Sequence, residues 1–246
     1  NLEINFIHQP RHGYKLLVLD LDHTILDFSS KMEITPHEMK RPYMDYFLQE
    51  IYQHYDIAIW SQTHWKWLEI KLIELGLLTH SSYRICFVLD KSSMFRSGPQ
   101  NQYIKPLHII WSKFPTLWSK VNTLHVDDLD RNFALNPSNG ILIEGFYRQG
   151  REGREGKEKK AKSTKDSEGK RRRVTSSSGG GDPSAETEDT ELFLLTRYLV
   201  SIGTHSDVSS IDHSSWRDKG VIIAENDLLA QKQQQQQQEE TKKEDK

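Results

Sequence analysis

The sequence predicts an α/β fold: a parallel sheet flanked by helices, with no large cap and only a small hairpin insertion. Three observations carry this. Short runs rich in branched and aromatic residues alternate with helix-length segments between Lys15 and Phe146, as strand–helix–strand units do. The first run, KLLVL, has no polar residue after its lysine, which suits a strand covered on both faces. Two of the helix-length segments open on proline, a residue preorganised for a first turn.

Taken in order, the strands are expected at Lys15 to Leu19, Asp56 to Trp60, Tyr83 to Leu89, Thr123 to Val126 and Gly140 to Phe146. The helices are expected at Pro42 to His54, at Trp65 to Leu75 with Gly76 as its stop, and at Pro106 to Phe114. The polar stretch DKSSMFRSGPQNQ reads as a hairpin. This order breaks after Tyr147. Residues 149–190 are Gly, Ser, Lys, Arg and Glu with almost nothing to bury, so a disordered insertion is expected there. Its first half is basic, with 11 Lys or Arg against 5 Asp or Glu from Arg151 to Arg173, and Asp182 to Glu191 is acidic. The chain thus divides into an extension (1–13), a core (14–148), the insertion (149–190), a helical part packing back on the core (191–230) and a Gln-rich charged tail (231–246) expected as solvated coil.

The 246 residues carry a formal net charge of -2. That balance and the lack of a recognised binding module argue against nucleic acid as the chain's partner. No apolar stretch reaches the roughly 20 residues of a membrane helix, and NLEINFIHQP has no signal-peptide pattern. The chain opens on Asn rather than Met, as a fragment or processed form would. Cys86 is the single cysteine and sits in the apolar run YRICFVL, so it reads as a buried thiol in a reducing compartment. A monomer is expected.

Strands of such a sheet present their carboxyl ends to ligands. The first ends in Asp20 and Asp22, two carboxylates that repel unless something positive sits between them. Mg²⁺, which takes oxygen ligands and few protein carboxylates, is the expected occupant. D-x-D alone also occurs in loops and calcium sites. Three further features in order strengthen it: YDIAIWSQT ends a strand in Ser61, YIKPLHII sets Lys105 before a proline-led helix, and TLHVDDLDRNF ends a strand in Asp127 and Asp128. The eleven histidines show no metal-ligand spacing, so His23, His64 and His125 read as hydrogen-bonded or incidental. Trp60, Trp65 and Trp67 line a groove or pack in the core, with at least one in the core.

Asp20, Asp22 and Thr24, then Ser61, Lys105 and Asp127-Asp128, together resemble the four motifs of the haloacid-dehalogenase superfamily. DLDHTILDF, the stretch from KRPYMDYF to IKLIELG, KPLHIIWSKF and VDDLDRNFALNPSNG resemble its branch of RNA polymerase II C-terminal-domain phosphatases, above all members bearing a ubiquitin-like domain. Two departures from that pattern are expected, the lack of such a domain before the first strand in this sequence and the insertion. The resemblance implies a Rossmann-like sheet and Mg²⁺-dependent hydrolysis of phosphoserine or phosphothreonine. Asp20 would be the nucleophile forming an aspartyl-phosphate, and Asp22 the acid and then base. Thr24, Ser61 and Lys105 would hold phosphate. The Asp20 carboxylate, the Asp22 carbonyl and Asp128 would ligate metal, with Asp127 orienting them. Asp22 is expected to be protonated part of the time through neighbouring negative charge. Its presence speaks for a phosphatase, since dehalogenases lack an acid there and ion-pumping ATPases carry threonine.

The resemblance further implies a phosphoprotein partner, the polymerase C-terminal domain or the proteasome, and a nuclear location, to which GKRRRV would be the address. As a bare sequence that run equally stays solvated. Neither gap between motifs has room for a lid, so an open site suited to a protein segment is expected. The alternatives are an inactive phosphatase-fold scaffold and a small-molecule phosphatase.

Overall fold

The computed structural model describes residues 3–28, 35–148 and 189–244. Five strands form one all-parallel sheet: β1 (Lys15–Leu19), β2 (Tyr55–Trp60), β3 (Ile85–Leu89), β6 (Thr123–Asp127) and β7 (Gly140–Leu142), in the order β3-β2-β1-β6-β7. Between β3 and β6 a small antiparallel hairpin projects, β4 (Phe95–Ser97) with β5 (Gln102–Ile104). The helices are α1 (Pro36–Met39), α2 (Met44–Ile51), α3 (Trp65–Glu74), α4 (His108–Lys113), α5 (Glu191–Ile202) and α6 (Trp216–Glu244).

The continuous apolar character of β1 follows from burial on both sides. Leu17 and Leu19 point into one hydrophobic cluster with Ile57 and Ile59. Leu16 and Val18 point into the other with Ala58 and Trp60. This period-two division is the pleat of the strand. The first cluster is roofed by helices: α2 contributes Met44, Phe47, Leu48 and Ile51, α3 contributes Leu68 and Leu72, and α5 contributes Leu192, Leu195 and Leu199. The spacing of the four α2 residues is that of one helical face. The second cluster is covered by Leu107 and Ile110, Trp118, and Ile4 from the N-terminal segment.

Several expected boundaries move, each for a local reason. The second helix starts at Met44 and not at Pro42, because Tyr43 takes a left-handed backbone with φ 64. The helix after Lys105 starts at His108, two residues beyond Pro106. The last strand stops at Leu142. Beyond it the chain leaves the sheet, and Phe146 N donates to His23 O at 2.7 Å in the loop after β1. The tail expected as coil is helical instead. α6 runs to Glu244, since Gln, Glu and Lys are good helix formers, and its side chains from Gln231 to Gln237 are exposed. The expected disordered insertion falls almost wholly on residues 149–188, outside the described residues.

The two flanks of that stretch are each tied to the core. Arg148 N donates to Asp27 Oδ2 at 2.9 Å. On the far side Asp189 accepts from the buried Arg41, whose Nη1 also donates to Thr24 O at 3.0 Å and Glu144 O at 2.8 Å. The C-terminal helices are then held by Tyr55 donating to Leu199 O at 2.8 Å and Lys15 to Gly203 O at 2.7 Å.

The start of β7 packs directly against Phe133 because residue 140 lacks a side chain: a Cβ there would stand 2.3 Å from the Phe133 ring carbon nearest the backbone. Gly140→Ala should therefore destabilise the fold by about 1–3 kcal/mol, read as a fall in the urea unfolding free energy.

Candidate active site

Strand register builds the site. Leu19 pairs with Ile59 on one side and Val126 on the other. Asp20 N donates to Val126 O at 2.9 Å and Ser61 N to Leu89 O at 3.0 Å. Asp20, Ser61 and Asp127 therefore emerge side by side at the carboxyl edge of the sheet. Lys105 enters from the end of β5, directly after Ile104.

Lys105 is fully buried, and its ammonium is divided between two carboxylates, donating to Asp20 Oδ1 at 2.5 Å and Asp127 Oδ2 at 2.7 Å. It stands apart from the helix start that the sequence placed beside it, so these acids and not a helix terminus fix it. Asp127 also accepts from Asn132 Nδ2 at 2.8 Å and Leu129 N at 2.9 Å, which gives it three donors in all. Thr24, expected to bind phosphate, donates to Asp20 Oδ2 at 3.0 Å. His125 is buried with Nε2 3.4 Å from Asp127 Oδ2, yet neither ring nitrogen makes a hydrogen bond. His23 is stacked on Tyr147 with ring centroids 4.3 Å apart. Of the tryptophans, Trp60 is core, while Trp65 and Trp67 are 43% and 63% exposed.

One oxygen from each of Asp20, Asp127 and Asp128 lies within 4.8 Å of the others. Burial raises the Asp20 carboxyl to about 8 despite Lys105, with Asp127 adding to the rise. Burial and Asp127 likewise lift Asp128 to about 6. Burial is the largest single influence on Asp127 and acts upward, but Lys105 and the neighbouring His125 together outweigh it and hold that carboxyl well below the usual range. Three carboxylates against one ammonium leave two negative charges uncompensated when all are ionised. An all-oxygen set with that excess fits a divalent cation of the hard class.

Asp22 is turned the other way. Its Oδ2 accepts from Thr63 Oγ1 at 2.8 Å and Ser61 Oγ at 3.4 Å, and its Oδ1 from Lys71 Nζ. The negative neighbours expected around Asp22 are thus replaced by an ammonium, because its side chain lies on the β2 side of the loop, away from Asp127 and Asp128. Thr63, Lys71 and Asn132 were not singled out from the sequence. Asn132 had a weak signal, lying in DDLDRNF. Lys71 had none, being one lysine in a helical stretch.

Paired aspartates ending the central strand, a buried lysine after the hairpin and two aspartates ending the neighbouring strand define the haloacid-dehalogenase class of phosphoryl-transfer folds. Within it, the chain belongs to the NLI interacting factor-like phosphatase family, whose model matches residues 15–159. It is 37% identical over 219 residues to "Ubiquitin-like domain-containing CTD phosphatase 1" of Xenopus tropicalis, covering 87% of this chain and 58% of that one. The Homo sapiens protein of the same name is 37% identical over 217 residues, with 87% and 58% covered. "Ubiquitin-like domain-containing CTD phosphatase" of Arabidopsis thaliana is 37% identical over 217 residues, with 87% and 54% covered. The chain therefore spans little more than half the length of these relatives. A solved structure, "The Structure of Fcp1, an essential RNA polymerase II CTD phosphatase", shares 15% identity with a TM-score of 0.49 over 80% of this chain and 69% of that chain. The fold class rests on the sheet order above and not on this likeness.

The raised acids make the cation-free protein pH-sensitive with a definite sign. An unfolded Asp releases its proton near 3.8, while folded Asp20 keeps it to about 8, so the native state binds more protons in between and stability falls as pH rises. Depressed Asp127 acts only below its ordinary value of 3.8. Below 6.5, buried His125 and His213 work in the opposite sense. In chelator, the urea unfolding free energy should drop by on the order of 1 kcal/mol between pH 6.5 and 8, and added Mg²⁺ should remove the drop.

Proposed function

We propose that this chain is a Mg²⁺-dependent protein serine/threonine phosphatase working through a phosphorylated Asp20. The observation that carries the reading is the Lys105 ammonium between Asp20 and Asp127 beside Asp128, an arrangement whose excess negative charge suits a divalent cation. Asp20 and Asp128, with the Asp22 backbone carbonyl, would hold the ion, and Asp127 would orient Lys105. When bound, the ion offsets the charge of the phosphoryl group.

Thr24 directs the nucleophilic carboxylate through its bond to Asp20 Oδ2. Lys105 lowers the repulsion between that carboxylate and a phosphate dianion. Asp20 attacks phosphorus in line, the Asp20 O–P bond forms, and the P–O bond to the substrate serine or threonine breaks. Asp22 gives its proton to the departing oxygen. In the second step Asp22 takes a proton from water, the water oxygen bonds to phosphorus, the Asp20 O–P bond breaks and phosphate leaves. Ser61 lies at the edge shared by both aspartates, where its hydroxyl can reach a phosphoryl oxygen.

A protein substrate is supported by the form of the edge. Among the described residues the only elements between the motif strands are short helices and the β4–β5 hairpin, whose strands have three residues each, and none forms a cap domain. Phosphorylated repeats of an RNA polymerase II C-terminal domain are the first substrate class, in keeping with the names of the relatives. Proteasome subunits are the second, and rest on the resemblance alone, as does a nuclear location.

Asp20→Asn should lower Mg²⁺-supported hydrolysis of p-nitrophenyl phosphate by about 10³-fold or more; a rate independent of Mg²⁺ or of this substitution refutes the reading. Phosphoserine peptides should exceed sugar phosphates in kcat/KM. A preference for sugar phosphates points instead to a metabolite phosphatase.

A further inference from the structure

The donors that surround Asp22 come largely from outside the four motifs. Lys71 Nζ donates to Asp22 Oδ1 and, at 3.2 Å, to Thr63 Oγ1. Thr63 Oγ1 in turn donates to Asp22 Oδ2 at 2.8 Å, so the three side chains close a ring. Lys71 is no ordinary surface lysine: its side chain is 12% exposed, against 28% for Asp22. Its ammonium stands 4.8 Å from the centroid of the Phe28 ring. Its stem is carried by α3, which Leu68 and Leu72 pin to the core with no exposed surface. A cation on so fixed a support sets a geometry, whereas exposed ion pairs contribute little.

We propose that Lys71 is the positioning residue of Asp22. By holding Oδ1, it turns Oδ2 toward the hydroxyls of Thr63 and Ser61, and Oδ2 on that side is the oxygen that exchanges the proton with the reacting groups. This assignment rests on the phosphatase reading above and deepens it. In the first step the Asp20 O–P bond forms, the P–O bond to the leaving group breaks, and the leaving oxygen takes the Asp22 proton. An alkoxide needs that proton. An aromatic leaving group such as p-nitrophenolate departs without it, so a misdirected Asp22 penalises alkyl phosphates selectively.

The test uses the full chain with Mg²⁺ and measures kcat/KM, which covers steps up to the first irreversible cleavage. A phosphoserine peptide, a short alkyl phosphate and p-nitrophenyl phosphate are compared. Lys71→Met should lower the two alkyl values by about tenfold or more and the aryl value by about threefold at most, and Lys71→Arg should recover most of the alkyl loss. Lys71→Gln carries the comparison if Lys71→Met does not fold. Equal losses on alkyl and aryl substrates, or no loss on either, overturn the role of Lys71 while an active wild type upholds the phosphatase reading. A loss on the peptide alone marks Lys71 as a peptide contact and also overturns it. A wild type inert on all three substrates overturns the phosphatase reading itself.

Discussion

The sharing of one buried ammonium by two strands is the constraint on which the rest depends. Lys105 has no solvent exposure, and a charge placed there is tolerable only with close, well-directed counter-charges. Asp20 and Asp127 supply them from the ends of β1 and β6, so the pairing of those strands and the charge balance of the site are one problem with one solution. Asn132 and the backbone at Leu129 hold Asp127 in place, and Thr24 holds Asp20. Each bond adds direction to acids that would otherwise repel. The unbalanced remainder of negative charge is what makes the edge a place for cations.

The same edge is braced from the C-terminal side. Arg41 spans from the carbonyl of Thr24, in the loop that carries Asp20 and Asp22, to Asp189 at the start of the returning chain. Glu191 receives Arg217 through a side-chain pair and accepts from Glu144 N at 3.0 Å. The helices α5 and α6 thus do more than bury Leu192, Leu195 and Leu199. They fix the segment after β7, which passes back over the loop following β1.

Much of this was legible because strand chemistry is local. KLLVL followed by Asp20 carries its burial, its direction and its charge in consecutive residues, and the same holds for TLHVDD. The alternation of elements then put all four motifs on one edge. What was not legible came from tertiary contacts with no local mark. Nothing near Lys71 distinguishes it from Lys66, one exposed on the same helix and the other turned onto Asp22. The bond from Thr24 to the carboxylate four residues back had no mark in the sequence either. The start of α2 was misplaced because proline at position 42 signals a first turn, while the left-handed backbone at Tyr43 delays the helix to Met44. The Gln tract read as coil because it buries nothing, although its intrinsic preference is helical.

Arg148 and Asp189 both close on the loop after β1, the one through Asp27 and the other through Arg41. The chain is therefore held on either side of residues 149–188 by bonds that do not involve those residues. Lengthening a joined loop costs only about 0.6 kcal/mol per doubling. A change in the number of residues between those two anchors should therefore leave Asp27 and Arg41 with their partners at small thermodynamic cost.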